Sequence, residues 1–216
     1  MDFAGAYSAD NVSFLLKGFL ITLEVAFVSI ILSFLFGCLL AVIRYAKIPV
    51  LAPLAASYVE IIRNLPLLLI IFFVYFALPE IGIKFSIMAS AIIALTVFES
   101  SMLAEIIRSG LNSIDKGQIE AGRSSGLTYI QTLRHIIMPQ ALRRMVPPTV
   151  GQFISLLKDT SLTVIIALPE LMHNANIVNG QNASFVIPIL MLTAIFYFTV
   201  NYMLSIFSQR LEVKQG

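Results

Sequence analysis

Five stretches of the chain are almost unbroken in apolar residues, over 18–43, 58–78, 85–107, 146–168 and 185–207, and the polar residues are gathered into blocks between them. As an α-helix the first would be about 39 Å long at about 1.5 Å per residue, longer than the ~30 Å hydrocarbon layer of a bilayer. The pattern predicts an all-α integral membrane fold in which residues 1–216 form one domain of five transmembrane helices.

Charges inside or beside these runs are the exceptions that need partners. Glu24 lies near the outer end of the first run, placed to reach headgroups, a partner subunit or a substrate. Pro49 and Pro53 are expected to break the helix ahead of the second run, whose first turns hold Glu60, Arg63 and Pro66. Glu60 and Arg63 are three apart, as are Glu105 and Arg108 at the end of the third run. Both spacings predict structural ion pairs along one helix face. The third run also contains Glu99, the fourth is interrupted by Lys158 and Asp159, and the fifth carries no formal charge. Between the last two, 169–184 is rich in Asn and contains His173, and is expected to be a loop with a solvated histidine.

The longest polar island is 115–139. Asp115 with Gln118, and Thr128 with Gln131, each have the spacing of a reciprocal N-terminal cap. Gly126 falls between them, where a left-handed glycine closes a helix. The expected shape is helix, tight corner, helix, with the second helix stopped by Pro139. Within it, Gly117 to Ser124 is one residue away from the phosphate-cradling pattern G-x-x-x-x-G-K-[ST], with Arg123 in place of the lysine. The flanks read as capped helix rather than as a buried strand, so no nucleotide site is expected here.

Composition agrees with a multi-pass protein: 58% of the 216 residues are hydrophobic and 12% charged, with a mean hydropathy of +0.91. A net charge of +2 gives no electrostatic support for binding nucleic acid. The single cysteine, Cys38, can form no disulfide within the chain. A membrane-embedded enzyme would need a nucleophile with a base, or clustered metal ligands. No span contains a histidine, and neither H-E-x-x-H nor G-x-S-x-G occurs within a span. An assembly scaffold would explain the apolar helices but not Lys158 and Asp159 at membrane depth.

Orientation follows from the basic residues. With the N-terminus outside and the C-terminus inside, the inner segments hold Arg44, Lys47, Arg108, Lys116, Arg123, Arg134, Arg143, Arg144, Arg210 and Lys214, and the outer ones only Lys17 and Lys84. The polar island, between the third and fourth spans, is then cytoplasmic.

Glu120, Ala121, Gly126, Ile136 and Pro139 stand at the spacing of the "EAA" signature of the membrane subunits of bacterial ABC importers, with Gly122 and Met138 as mild departures. The block Glu60-x-x-Arg63-x-x-Pro66 and the run from Lys158 to Leu162 also resemble that family, specifically its permeases for polar amino acids. The resemblance implies a MetI-like type I permease subunit, multi-pass in the bacterial cytoplasmic membrane. Its island, with Glu120, Ala121, Gly126, Thr128 and Pro139, would couple to a dimer of cytoplasmic ATPases that bind ATP and magnesium, while this chain binds no cofactor. A second permease, identical or homologous, and an external solute-binding protein or domain would complete the assembly.

The fourth run is the expected substrate site. Adjacent residues on a helix point about 100° apart, so Lys158 and Asp159 do not share one face. Gln152 and Ser155 precede them on the same side of the helix, and Ser161 follows. Two readings stand: an anchor between helices or subunits, or a polar amino-acid site formed by Gln152, Ser155, Lys158, Asp159 and Ser161. By resemblance, permeases for basic amino acids often carry glutamate where this chain has Gln152, which favours glutamine or glutamate as the substrate over arginine or histidine.

Overall fold

The structure is a computed structural model and describes residues 1–213. Lys214 and the side chain of Arg210, both counted above toward the inner charge, lie outside the described part. The helices are α1 (Phe3–Ala6), α2 (Ala9–Tyr45), α3 (Leu51–Arg63), α4 (Leu67–Glu80), α5 (Ile87–Asn112), α6 (Lys116–Ser124), α7 (Tyr129–Ile166), α8 (Leu171–Gln181) and α9 (Val186–Val213). Each of α2, α5 and α9 is long and apolar enough to cross a bilayer. Two bent pairs also qualify, α3 with α4 at 105° and α7 with α8 at 52°, which brings the crossings to five if each pair counts once.

Side-chain hydroxyls start two of the long helices: Ser8 accepts from Asn11 N–H at the head of α2, and Ser86 from Ala89 N–H at the head of α5. The central packing is α2 against α5. Gly18, Thr22, Ala26, Ser29, Ser33, Gly37 and Ala41 are buried along α2 at steps of three and four, and α5 answers with Ser90, Ala91, Ala94, Ser101 and Ala104. Apolar side chains gain little by leaving lipid, so close approach of small residues is what holds such helices together. Ser33 closes its hydroxyl on the Ile30 carbonyl and Ser101 on that of Phe98, whereas those of Ser29 and Ser90 have no partner among the described residues. A larger apolar cluster then fills the space between α2, α4 and α5, with Val25, Ile71, Val74 and Leu95 at its centre.

Four local expectations are corrected. The second run is not one helix: α3 ends at Arg63, and Pro66, in extended conformation, heads α4 across the bend. Pro53 does not break the chain either, because it sits in the first turn of α3, where its missing N–H has no helical partner to lose. The break lies at Pro49, flanked by Lys47 and Val50 with φ of +52° and +67°, a strained turn for side-chain-bearing residues. The Asn-rich stretch expected as a loop is mostly α8, and His173 is half-buried in its first turn.

Glu170 explains that helix. Its buried carboxylate accepts from Met172 N–H at 2.9 Å and His173 N–H at 2.7 Å, capping α8, and from Tyr197 Oη of α9 at 3.1 Å. Thr22 Oγ1 of α2 lies 3.4 Å from the same carboxylate and accepts from Leu171 N–H at 3.2 Å. One side chain thus binds three helices with every donor satisfied, which is the condition for keeping a carboxylate in such a place.

The fourth correction concerns Pro139, which does not stop a helix. Leu133–Ile137 is a π-helical turn, after which Met138 and Pro139 continue α7. A proline removes one backbone donor and crowds the carbonyl four residues earlier, and widening the preceding turn relieves both. Gln140 Nε2 donates to the Ile136 carbonyl at 2.8 Å within that widened turn. Phe73–Ala77, ahead of Pro79 in α4, repeats the arrangement.

Replacing Glu170 by Ala is expected to orphan Met172 N–H, His173 N–H and Tyr197 Oη, at a cost of at least ~2 kcal/mol. Thermal unfolding of the detergent-solubilised protein, read by reaction of Cys38 with a thiol-activated dye, should begin several degrees lower. Glu170→Gln, which keeps an acceptor, should fall between the two, and equal midpoints for Glu170→Ala and wild type would show the cap to be dispensable.

Candidate functional site

Two carboxyl groups on α5 mark the candidate site. Glu99 is fully buried, and one of its oxygens accepts from Gln152 Nε2 of α7 at 3.1 Å. Its other oxygen has no partner among the described residues. A carboxyl group at that depth with half its acceptor capacity unused is costly to keep, and the unused oxygen faces the need of a donor or a cation. The order of residues gives Glu99 no role of its own. The available signal was a lone carboxylate inside an apolar run.

Of the residues expected at the substrate site, Gln152 and Ser155 are half-buried on α7, and Asp159 is half-buried two turns beyond Gln152. Lys158 is exposed. Lys158 and Asp159 form no ion pair with each other or with any other described residue. Ser161 donates its hydroxyl hydrogen to the Lys158 carbonyl at 2.7 Å, so it can offer a ligand only its lone pairs.

Glu105, less than two turns beyond Glu99 on α5, is held very differently. Arg108 grips it with two nitrogens, Arg44 of α2 reaches it at 3.0 Å, and Arg63 of α3 stands 3.8 Å away. The Glu105–Arg108 pair is formed. The expected Glu60–Arg63 pair is not: Glu60 instead accepts from Asn64 Nδ2 at 3.2 Å, and Arg63 turns across the bundle to Glu105. The reason lies in the bend after Arg63, which points the end of α3 at α5. A groove of about 580 Å³ opens beside this cluster, lined by Arg63, Glu105, Ser109, Ser113, Arg144 and, at one end, Gln152.

The polar island folds as a corner on the same side of the bundle as Arg44, Arg63 and Arg108. Asp115 caps α6 by accepting from Gly117 N–H; the reciprocal contact with Gln118 is absent, since Gln118 N–H goes to the Asp115 backbone carbonyl. The α6 helix ends with Leu127 N–H on the Gly122 carbonyl and Gly126 N–H on that of Arg123, with Gly126 at φ +86°, the paired closure of a left-handed terminus. Thr128 and Gln131 then form the reciprocal cap, at 2.8 and 3.3 Å, that starts α7. Gly122 is buried, and a Cβ there would stand 2.7 Å from Thr132 Cγ2 and 3.0 Å from Ile136 Cδ1. The substitution of glycine for the signature's second alanine therefore lets α6 lie close on α7. Beneath the corner Leu111, Ile114, Ile137, Ala141 and Met145 form a separate apolar cluster.

What the corner presents outward is Glu120 and Ala121 together with Tyr129, 49% exposed, and Ile130, 73% exposed. Pro139 lies within α7 and is itself exposed. An apolar side chain as bare as Ile130 beside a carboxylate is suited to a protein partner. The near-match to a phosphate loop is helical from Lys116 to Ser124, so no cradling loop forms there.

A family model described as "Binding-protein-dependent transport system inner membrane component" matches residues 33–213. The chain is 69% identical over 217 residues to the probable glutamine ABC transporter permease protein GlnP of Bacillus subtilis (strain 168), covering 100% of both chains. It is 40% identical over 203 residues to the probable glutamine ABC transporter permease protein GlnM of the same organism, covering 94% of each. Among solved structures, the crystal structure of an amino acid ABC transporter with histidines superposes with a TM-score of 0.92 at 28% identity, covering 99% of both chains.

If the groove is open to water, Ser109→Cys in a Cys38→Ser background should react with a membrane-impermeant thiol reagent at least about tenfold faster than Ser101→Cys, which sits in the helix packing. It should do so from the same side of the membrane as Glu120→Cys. Labelling of the two α5 positions at equal rates would refute this geometry.

Proposed function

The chain belongs to the family of inner-membrane components of binding-protein-dependent transport systems, and from that premise we propose that it is the membrane-spanning permease subunit of an ABC importer for a polar amino acid, glutamine before glutamate. The observation that carries this reading is a single helix. α7 begins at the corner and continues, through the π-helical turn at Leu133–Ile137 and past Pro147 and Pro148, beyond Gln152 to Asp159, so coupling surface and candidate substrate site are two ends of one element. From Tyr129 to Gln152 the span is ~35 Å at about 1.5 Å per residue. A push on the corner shifts Gln152 and Asp159 relative to Glu99, which belongs to α5.

The partners follow from these two ends. A dimer of ATPases, holding ATP and magnesium, docks on Glu120, Ala121, Tyr129 and Ile130 from the cytoplasm. A second permease, identical or homologous, encloses the path that this chain alone is too small to surround. A solute-binding protein or domain delivers the amino acid at the opposite membrane face. The orientation, N-terminus out, rests on the excess of Arg and Lys on the side of the corner.

At the site the free Glu99 oxygen is placed for the α-ammonium of the substrate, with Gln152 held by the other oxygen to hydrogen-bond a neutral side chain. Asp159 or Lys158 meets a further charged group of the amino-acid backbone, with Ser155 and Ser161 as neutral contacts. The names of the 69% and 40% identical relatives support glutamine.

Uptake of labelled glutamine by the complex reconstituted with its binding protein should fall at least ~10-fold for Glu99→Gln, equal to about 1.4 kcal/mol, and measurably for Gln152→Ala, Lys158→Met and Asp159→Asn. Unchanged apparent affinity in all four would return Lys158 and Asp159 to the anchor reading.

Gly126→Val places a β-branched residue at φ +86°, and Glu120→Lys reverses a charge on the docking face. Both should lower substrate-stimulated ATP hydrolysis while the chain still inserts in the membrane. Full stimulation with Gly126→Val would show that the corner does not shape the contact.

A further inference from the structure

The groove beside Glu105 carries more positive charge than its own ion pairs use. Three arginines, Arg44, Arg63 and Arg108, converge there on one carboxylate, and a fourth, Arg144, lines the groove. Arg108 takes both oxygens of Glu105, and Arg44 adds a hydrogen bond at 3.0 Å to one of them. Arg63 reaches that already occupied oxygen only at 3.8 Å and is 36% exposed. Arg144 enters from α7 and has no carboxylate among the described residues. It donates from one nitrogen to the Ser113 carbonyl and, at 3.1 Å, to Ser113 Oγ, leaving most of its five N–H groups for something else. Arg63 and Arg144 line the same cavity, with the Ser109 hydroxyl beside them and Gln152 at its inner end. Its volume, about 580 Å³, falls in the ~300–1,000 Å³ range of small-ligand sites.

We propose that this groove is an exit subsite in which Arg63 and Arg144 bind the α-carboxylate of the amino acid as it leaves toward the cytoplasm, so that cytoplasmic amino acid can re-enter it and slow transport. The proposal rests on the reading of Glu99 and Gln152 as the amino-acid site. Polarity along the path gives the direction: a half-satisfied carboxyl group lies at the deep end and two under-used guanidinium groups at the mouth. A zwitterion between them orients its ammonium inward and its carboxylate outward. A guanidinium fork matches a carboxylate with two parallel hydrogen bonds. The same fork also fits a lipid phosphate, the one other abundant anion at this depth.

The test uses the assembled complex in proteoliposomes, with binding protein and labelled glutamine outside and ATP inside. Lumenal L-glutamine at millimolar concentration should reduce the initial uptake rate several-fold. L-Glutaminamide, which lacks the carboxylate, should not. Each of Arg63→Gln and Arg144→Gln should raise the half-inhibitory concentration by about tenfold, the worth of about 1.4 kcal/mol, whereas Lys47→Gln, a charge removed outside the groove, should not. Equal inhibition by the two compounds, or wild-type inhibition of both arginine variants, overturns the proposal. Lipid is separated by repeating the series with and without phosphatidylglycerol. An unchanged inhibition constant supports the exit subsite, and inhibition that disappears when phosphatidylglycerol is present assigns the groove to lipid phosphate instead. Absence of uptake into empty vesicles is a failure of the proposed function. The groove is then judged by whether L-glutamine, and not L-glutaminamide, protects Ser109→Cys from a thiol reagent in the same complex: protection supports the subsite, and its absence overturns it.

Discussion

A carboxyl group inside a membrane bundle has to be satisfied by other parts of the protein, and three such groups organise this chain. Glu170 is fully served by two backbone N–H groups, a tyrosine and a threonine. Glu105 is more than served, by arginines from α2, α3 and its own helix. Both groups act as rivets, each joining three helices where apolar packing alone would leave their relative positions loosely specified, because lipid competes with every aliphatic contact. Among the described residues Glu99 has one partner, on one of its two oxygens. The contrast separates frame from candidate site: the carboxyl groups that hold helices together have their acceptors filled, and the one left half-filled is the one to which the proposed function assigns a substrate contact.

Proline shapes the link between the corner and the candidate site. Pro79 and Pro139 each follow a π-helical turn, and in the second case the turn lets the corner run straight into the helix that carries Gln152. Had Pro139 ended a helix, no continuous element would join the corner to Gln152. The wide turn keeps the hydrogen-bonded rod while giving it a place to bend. The corner is rigid for its own reasons, a left-handed closure at Gly126, a reciprocal cap at Thr128 and Gln131, and the close approach at Gly122.

The apolar runs that became α2, α5 and α9, and the corner, were legible in the order of residues. So was the family, through the spacing of Glu120, Gly126 and Pro139. These are local properties: hydropathy sums over a window of about twenty residues, a cap involves three or four, and a signature needs only fixed offsets. Local reasoning failed where two signals at short range competed with the packing. Arg63 lies three residues from Glu60 and yet goes to Glu105, Asp115 caps α6 without Gln118, and Pro139 is absorbed rather than obeyed.

What only the tertiary structure decided is which buried charge meets which partner. Gln152 finds Glu99 across 53 positions of sequence, and Arg44 finds Glu105 across 61. Neither spacing has a signature, because contact between helices is set by how the small residues of α2 and α5 let them approach and by the bend that turns α3 across the bundle. The sequence by itself determined that this chain crosses a membrane several times and offers a shaped corner to a partner. The packing decided that one carboxyl group would be left half-satisfied and two arginines under-used, since whether a polar group has enough partners depends on every helix around it.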